Sequence, residues 1–455
     1  MKTKFQLPAT RQLLVAGGDD RIALDPLSGL NKYGCPPFPD PQLLAFGSST
    51  ASVISTESYA TADRLREKWQ AALANESPDT VYAMEMQALR LEWLELCELS
   101  DIPGLELIFS PSGTDTHGTV AQYTASPALI IMVEANETGS GVTSALNQGN
   151  NKVVQVSIRQ DDGTPRPLTD IDAEVEILAS NAVASGRRVL LILVDQSKTG
   201  LIAPSPAGTM ALHQRYPDKL EVLVDACQFR IGRATLRAYL EQGFMVALTG
   251  SKFLAAPSFS ALLLLPATVA KRLKKPPLAN FSLLLRCALA LEELRSFRSL
   301  PKAKLIDILL AFTEAIDQRL RSDPHFAALP VPPLDRSPLI AANDWDHLQT
   351  IFPFLLYEPR STGRRLLTRE QTLTIYQQLQ SPRYTPENNT VASIRCQLGQ
   401  PVACGTRNSV LRLCLSSRLL VEAVTRGDRG LLLIKNALQA LDTTALLIQS
   451  GARIT

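Results

Sequence analysis

Residues 222 to 252 read VLVDACQFRIGRATLRAYLEQGFMVALTGSK. Leu220 to Val224 is apolar apart from Glu221, and Gly243 to Leu248 is apolar throughout, as strands are when helices cover both their faces. Between them, Arg233 to Glu241 carries Leu236, Tyr239 and Leu240 at the i, i+3, i+4 spacing of an amphipathic helix. The segment therefore predicts a βαβ unit with a right-handed crossover. Its first strand ends on Asp225 and its second runs into Gly250-Ser251-Lys252. Ligands of such sheets gather at the carboxyl ends of the strands, so an acid and a lysine arrive at one sheet edge.

That pair suits pyridoxal phosphate. The cofactor draws electrons from a carbanion at the α-carbon of a substrate amine, most strongly when its ring nitrogen keeps a proton. A nearby carboxylate keeps the proton there, while a lysine holds the aldehyde as an imine and, once released, moves protons. Ser251 adds a hydroxyl for the phosphate. Upstream, Leu105 to Phe109 leads into Ser110-Pro111-Ser112-Gly113-Thr114-Asp115 and a helix-compatible stretch to Tyr123. Small hydroxyl residues and a glycine at a helix start offer donors to an anion, and the helix dipole favours it. The same residues would equally cap an ordinary helix, and Asp115 must turn away from any phosphate.

The order of Ser112-Gly113-Thr114, Asp225-Ala226-Cys227-Gln228 and Ser251-Lys252 resembles the fold type I pyridoxal-phosphate enzymes, in the style of class V aminotransferases and cysteine desulfurases. The resemblance covers about Pro103 to Pro266 and, more weakly, the C-terminal part. It implies an α/β fold: a three-layer large domain with a mainly parallel sheet, like that of aspartate aminotransferase, and a smaller α+β C-terminal domain. It also implies pyridoxal 5′-phosphate held by Ser112, Gly113, Thr114, Thr138, Ser197, Asp225, Gln228, Ser251 and Lys252, with Lys252 and Asp225 catalytic. Two positions depart from the pattern. Thr138 stands where the desulfurase branch has a ring-stacking histidine, and Ser197 or Gln196 would replace an asparagine that touches the ring hydroxyl. Lys198 is unexpected there, and reads either as a solvated lysine or as a substrate or phosphate contact.

The resemblance further implies an N-terminal segment, residues 1–54, that closes the site, beside a large domain at 55–322 and a small domain at 340–455. The proline-rich loop Asp323 to Pro338 links the last two. Asn31, Lys32 and Tyr33 are candidate substrate contacts from the N-terminal segment, and Asn280 and Ser282 are candidates to reach a partner's phosphate. In the small domain we expect a strand at Leu348 to Tyr357, a helix at Thr368 to Leu379, a hairpin around Gly399-Gln400 and a strand at Ser409 to Leu415. A last helix is expected at Asn436 to Gln449. In related enzymes a C-terminal-strand arginine grips the substrate α-carboxylate by a two-pronged bond that lysine cannot copy. Arg412 fits that role best, with Arg407 and Arg395 behind it.

The 455 residues, 45% hydrophobic, suffice for a sizeable core, and a net charge of +2 implies no nucleic-acid or membrane partner. No membrane-length apolar run or secretory leader is expected. Seven scattered cysteines suggest reduced thiols in the cytoplasm, and the four histidines lack zinc-ligand spacing, so no metal is expected. The resemblance implies a homodimer with sites near the subunit interface and an amino-acid substrate. Aminotransfer needs only Lys252 as proton carrier. Elimination, replacement or desulfuration would need a further acid, base or thiol, for which Cys396 and Cys404 are the candidates near Arg412. Decarboxylation ranks third. The reading of another class is a non-catalytic cofactor-binding regulatory protein.

Overall fold

A computed structural model describes residues 5–47, 51–124, 127–272, 279–341, 344–381, 394–406 and 408–450. In chain order its strands are β1 Leu43–Phe46, β2 Glu106–Ser110, β3 Ala128–Val133, β4 Lys152–Val156, β5 Arg188–Asp195, β6 Ile202–Ala203 and β7 Leu220–Asp225. They continue with β8 Met245–Thr249, β9 Ala261–Leu265, β10 Phe326–Ala328, β11 Ile351–Arg360, β12 Gly363–Leu366, β13 Arg395–Cys404 and β14 Asn408–Cys414.

The large sheet has the order β2-β9-β8-β7-β5-β3-β4, with the short β6 paired to β5. β4, β3, β5, β7 and β8 run parallel to one another, whereas β6 is antiparallel to β5 and β9 is antiparallel to both β8 and β2. Val189 to Val194 in β5 are each at most 2% exposed, which is why the strand reads as one apolar run. Removing six such side chains from water stabilises the fold by roughly 1.5–3 kcal/mol each. The helix Leu168–Ala184 packs on β3, β4 and β5, Pro206–Arg215 on β5 and β7, and Gly113–Tyr123 on β2, β8 and β9. The helix Arg233–Glu241 lies where the periodicity predicts it and packs on β8. The strand after it starts at Met245 because Gly243, at φ +77°, makes the left-handed turn that ends the helix.

The smaller sheet has the order β1-β13-β14-β11-β10, with β12 on β11. It draws on residues outside 340–455. β1, from the N-terminal segment, pairs parallel with β13, and β10, from the expected linker, pairs with β11. The linker is therefore structured. The hairpin expected around Gly399-Gln400 is instead one bulged strand, β13, paired with β14, the bulge falling between Gly399 and Val402. Gly399 lies opposite Arg412, and a Cβ on it would stand 2.9 Å from Arg412 Cβ. The glycine makes room for a guanidinium and does not turn the chain. Residues 382–393 and Arg407 lie outside the described residues.

Helix Leu431–Gln449 is long and apolar enough, by length and composition, to cross a membrane, although Lys435, Asn436, Gln439 and Asp442 interrupt its apolar run. Half of it is buried inside the protein, through Ala437, Ala440, Leu441 and Leu447 among others. Its apolarity answers to the protein interior on that face.

Candidate active site

The carboxyl ends of β2, β3, β5, β7 and β8 open on one cleft, continuous with solvent. From the large sheet come Ser112, Gly113, Thr114, His117, Gly139, Lys198, Asp225, Cys227, Gln228, Ser251 and Lys252; Arg21, Tyr33, Gln400 and Arg412 close it from the N-terminal segment and the small sheet.

Asp225 is the last residue of β7 and is 5% exposed. Its Oδ1 accepts the Cys227 N–H at 3.1 Å, and its Oδ2 lies 3.4 Å from His117 Nε2. His117 Nδ1 is 2.6 Å from the Gly113 carbonyl oxygen, which only accepts, so Nδ1 carries a proton. A second proton on Nε2 then makes the ring a cation facing the carboxylate. Burial alone would raise the pKa of Asp225, but the charge of His117, supported by Lys252, holds it well below the usual carboxylate range. Burial alone would lower the pKa of His117, yet Asp225 and the Gly113 carbonyl raise it. The sequence alone does not single out His117. Its only signal is its place four residues after Gly113, one turn into a helix whose start must first be known.

Ser112 caps that helix: its Oγ accepts the Asp115 N–H at 3.2 Å and donates to Asp115 Oδ2 at 2.6 Å. Asp115 is thereby turned to the cap. The N–H groups of Gly113 and Thr114 have no partner among the described residues, and they open an 11-residue helix. A Cβ at Gly113 would stand 3.0 Å from Cys227 Sγ, so the helix start and the strand end after β7 touch. Lys252 follows β8 after Gly250, where a Cβ would lie 2.5 Å from Ala290 Cβ and 2.6 Å from Ser260 Oγ. Close packing under that glycine sets the lysine at the cleft floor.

The remaining expectations separate. Tyr33 and Gln228 line the cleft; Asn31 and Lys32 do not. The Asn31 side chain instead accepts the Tyr33 and Cys35 N–H groups at 2.9 and 3.1 Å, closing a turn. Ser197 is also off the cleft lining. It donates to Glu137 Oε2 at 2.7 Å, in a buried knot where Glu137 also takes Arg159 and Thr199. Thr138 is buried behind Gly139, its Oγ1 without a hydrogen-bond partner. Asn280 caps the helix Phe281–Arg298 and donates to the Gly17 carbonyl at 2.8 Å, and Arg395 pairs with Asp40 at 2.7 Å. Arg412, 2% exposed, reaches the cleft with Nε and Nη2 donating to the Gln400 carbonyl at 3.3 and 2.9 Å and Nη1 to the Lys198 carbonyl at 3.2 Å.

The ligating atoms of His117, Asp225 and Cys227 lie within 4.8 Å of one another, a convergence that histidine spacing alone does not reveal. A metal would need the Cys227 thiolate, and burial, reinforced by the charge of Asp225, pushes that thiol well above its ordinary range.

No protein-family model and no curated protein sequence matches the chain. Its architecture does have solved relatives. A NifS-like protein from Rickettsia africae ESF-5 superposes with a TM-score of 0.53 at 12% identity, covering 88% of this chain and 99% of its own. The glutamate decarboxylase domain of diaminobutyrate-pyruvate transaminase and L-2,4-diaminobutyrate decarboxylase from Vibrio parahaemolyticus gives 0.52 at 15% identity, over 88% of this chain and 81% of its own. At such identities the likeness is one of fold.

Proposed function

We propose that this chain, whose fold is that of the type I pyridoxal-phosphate enzymes, binds pyridoxal 5′-phosphate and acts at the α-carbon of an amino acid as an aminotransferase. The observation that carries the reading is the Asp225 carboxylate, kept charged beside His117 and facing the same cleft as Lys252 on the neighbouring strand end.

The cleft fits that cofactor. Two N–H groups at a helix start are left for an anion, a buried carboxylate keeps one edge open, and a lysine amine stands nearby. Buried Ser260 Oγ and Thr138 Oγ1 lack partners at or just behind the lining. When bound, pyridoxal phosphate supplies an electron sink for negative charge at the substrate α-carbon. Gly113 and Thr114 bind the phosphate, with Ser251 adding its hydroxyl. Asp225 holds a proton on the ring nitrogen. Lys252 Nζ would anchor the cofactor covalently and, once released by the substrate amine, would serve as the base for the α-proton. Of the five N–H bonds of Arg412, three go to backbone carbonyls, leaving two for the α-carboxylate.

Aminotransfer asks for nothing more. Cys396 and Cys404, the candidates for sulfur chemistry, are buried and off the cleft, and burial pushes their thiols up to about 12 and about 11. Decarboxylation would release the group that Arg412 is placed to hold. The reading extends to a homodimer, which light scattering would test.

Titration of pyridoxal phosphate into the wild type should raise a near-ultraviolet band that Lys252→Ala lacks. Addition of amino acid without a cosubstrate should then convert the band once, with one equivalent of keto acid. Continued keto-acid release with recovery of the band would indicate a lyase. A band without turnover on any amino acid would indicate a regulatory protein, and no band at all would sink the cofactor reading.

A further inference from the structure

We infer that the substrate carries a second acidic group besides its α-carboxylate, and that Lys198 selects it. The inference rests on the amino-acid reading above and narrows it to acidic amino acids.

Lys198 and Arg412 share one wall of the cleft, since Arg412 Nη1 donates to the Lys198 carbonyl and the Lys198 N–H donates to the Glu137 carbonyl at 2.8 Å. Each other charge on the lining has a partner or an assigned role. Arg21 is paired with Asp19, and Asp225 faces His117. Glu137, the acid behind Lys198, is consumed by Arg159, Ser197 and Thr199. The Lys198 ammonium forms no ion pair or hydrogen bond among the described residues. A half-buried ammonium without a counter-ion is costly, and a ligand carboxylate, sulfonate or phosphonate would complete it. The phosphate donors assigned above are the helix-start N–H groups of Gly113 and Thr114, whereas the Lys198 backbone carbonyl is bonded to Arg412, the residue placed to hold the α-carboxylate.

Burial first, then the charges of Arg412 and Lys252, push the Lys198 pKa down to about 8, with Glu137 and Asp225 opposing. Affinity for a second acid is therefore full below that value and lost as pH rises through it.

The test is calorimetric titration of the full chain, supplied with pyridoxal phosphate, using unreactive succinate and butyrate as probes. Wild type should prefer succinate by about tenfold or more, as expected for a charged hydrogen bond. Lys198→Gln should remove the preference. Lys198→Arg should keep it and abolish its decline through about pH 8, a result that does not depend on Lys198→Gln folding. Equal binding of the two probes by wild type, or a preference that survives in Lys198→Gln, overturns the inference. So does weakened pyridoxal phosphate binding in Lys198→Gln with the preference intact, which would assign Lys198 to the phosphate. If the Lys252-dependent band never forms while the Lys198-dependent succinate preference holds, the cofactor reading fails and the second-acid inference stands, because calorimetry reads the preference and absorbance reads the band.

Discussion

Asp195 and Asp225 end neighbouring strands, with Val194 opposite Asp225 in the ladder, and they are 0% and 5% exposed. Only their partners differ. Asp195 takes Arg336 on both oxygens, at 2.7 and 2.8 Å, and the Tyr239 hydroxyl at 2.8 Å. Arg336, from the loop between β10 and β11, also donates to the Asp346 carbonyl at 2.9 Å. Its pair with Asp195 pins that loop to the large sheet. Asp225 has one backbone donor and an imidazole 3.4 Å away, with its remaining capacity turned to the cleft. At this sheet edge, a buried acid is structural where the protein completes its hydrogen bonds and available for chemistry where it does not.

Neutralising the satisfied acid should cost most. Asp195→Asn leaves Arg336 buried without its partner, a loss of about 3–5 kcal/mol. Urea unfolding would read it as a lowered midpoint at unchanged slope. A loss under about 1 kcal/mol would mean the pair is no firmer than a surface one and would break the contrast. Asp225→Asn should cost less stability, because His117 can shed its proton once the carboxylate is gone. Its effect should instead appear in chemistry: turnover lowered on the order of a hundredfold, the usual scale for removing one electrostatic partner of a reacting group, with the Lys252-dependent band retained. Near-normal turnover would remove Asp225 from the ring nitrogen.

The contrast also separates what is legible in the sequence from what is not. Strands buried on both faces announce themselves as apolar runs, so the ends of β7 and β8, and with them Asp225 and Lys252, are legible. The helix start at Ser112 is legible through its cap. Arg412 stands out as one charge in an apolar strand. His117 does not, since an imidazole one turn into a helix has no pattern until the facing strand is known. Asp195 shares the strand-end signature of Asp225, and only Arg336, 141 residues later, distinguishes them. Loop side chains are the least legible, because turns consume them locally: Asn31 closes its own turn and Ser197 serves Glu137. Gly399 misleads because a glycine close to a proline signals a turn, whereas here it answers to the bulk of Arg412 across the ladder.

The smallest expected effect tests whether His117 is the counter-ion that makes Asp225 differ from Asp195. The His117 pKa is raised above 6.5 in the folded protein, so its contribution to stability is complete below that value and fades as pH rises through the raised one. The Asp225 pKa is lowered below 3.8, so its contribution is complete above that value and fades only as pH falls through the lowered one. The pair is thus worth most between 3.8 and 6.5. Urea unfolding of wild type should show the pair's contribution declining as pH rises above that window. His117→Asn should flatten that decline while leaving Asp195 and its knot untouched. If the variant keeps the wild-type decline, the proton lies on another group, and Asp225 owes its charge to Lys252 and the Cys227 N–H instead.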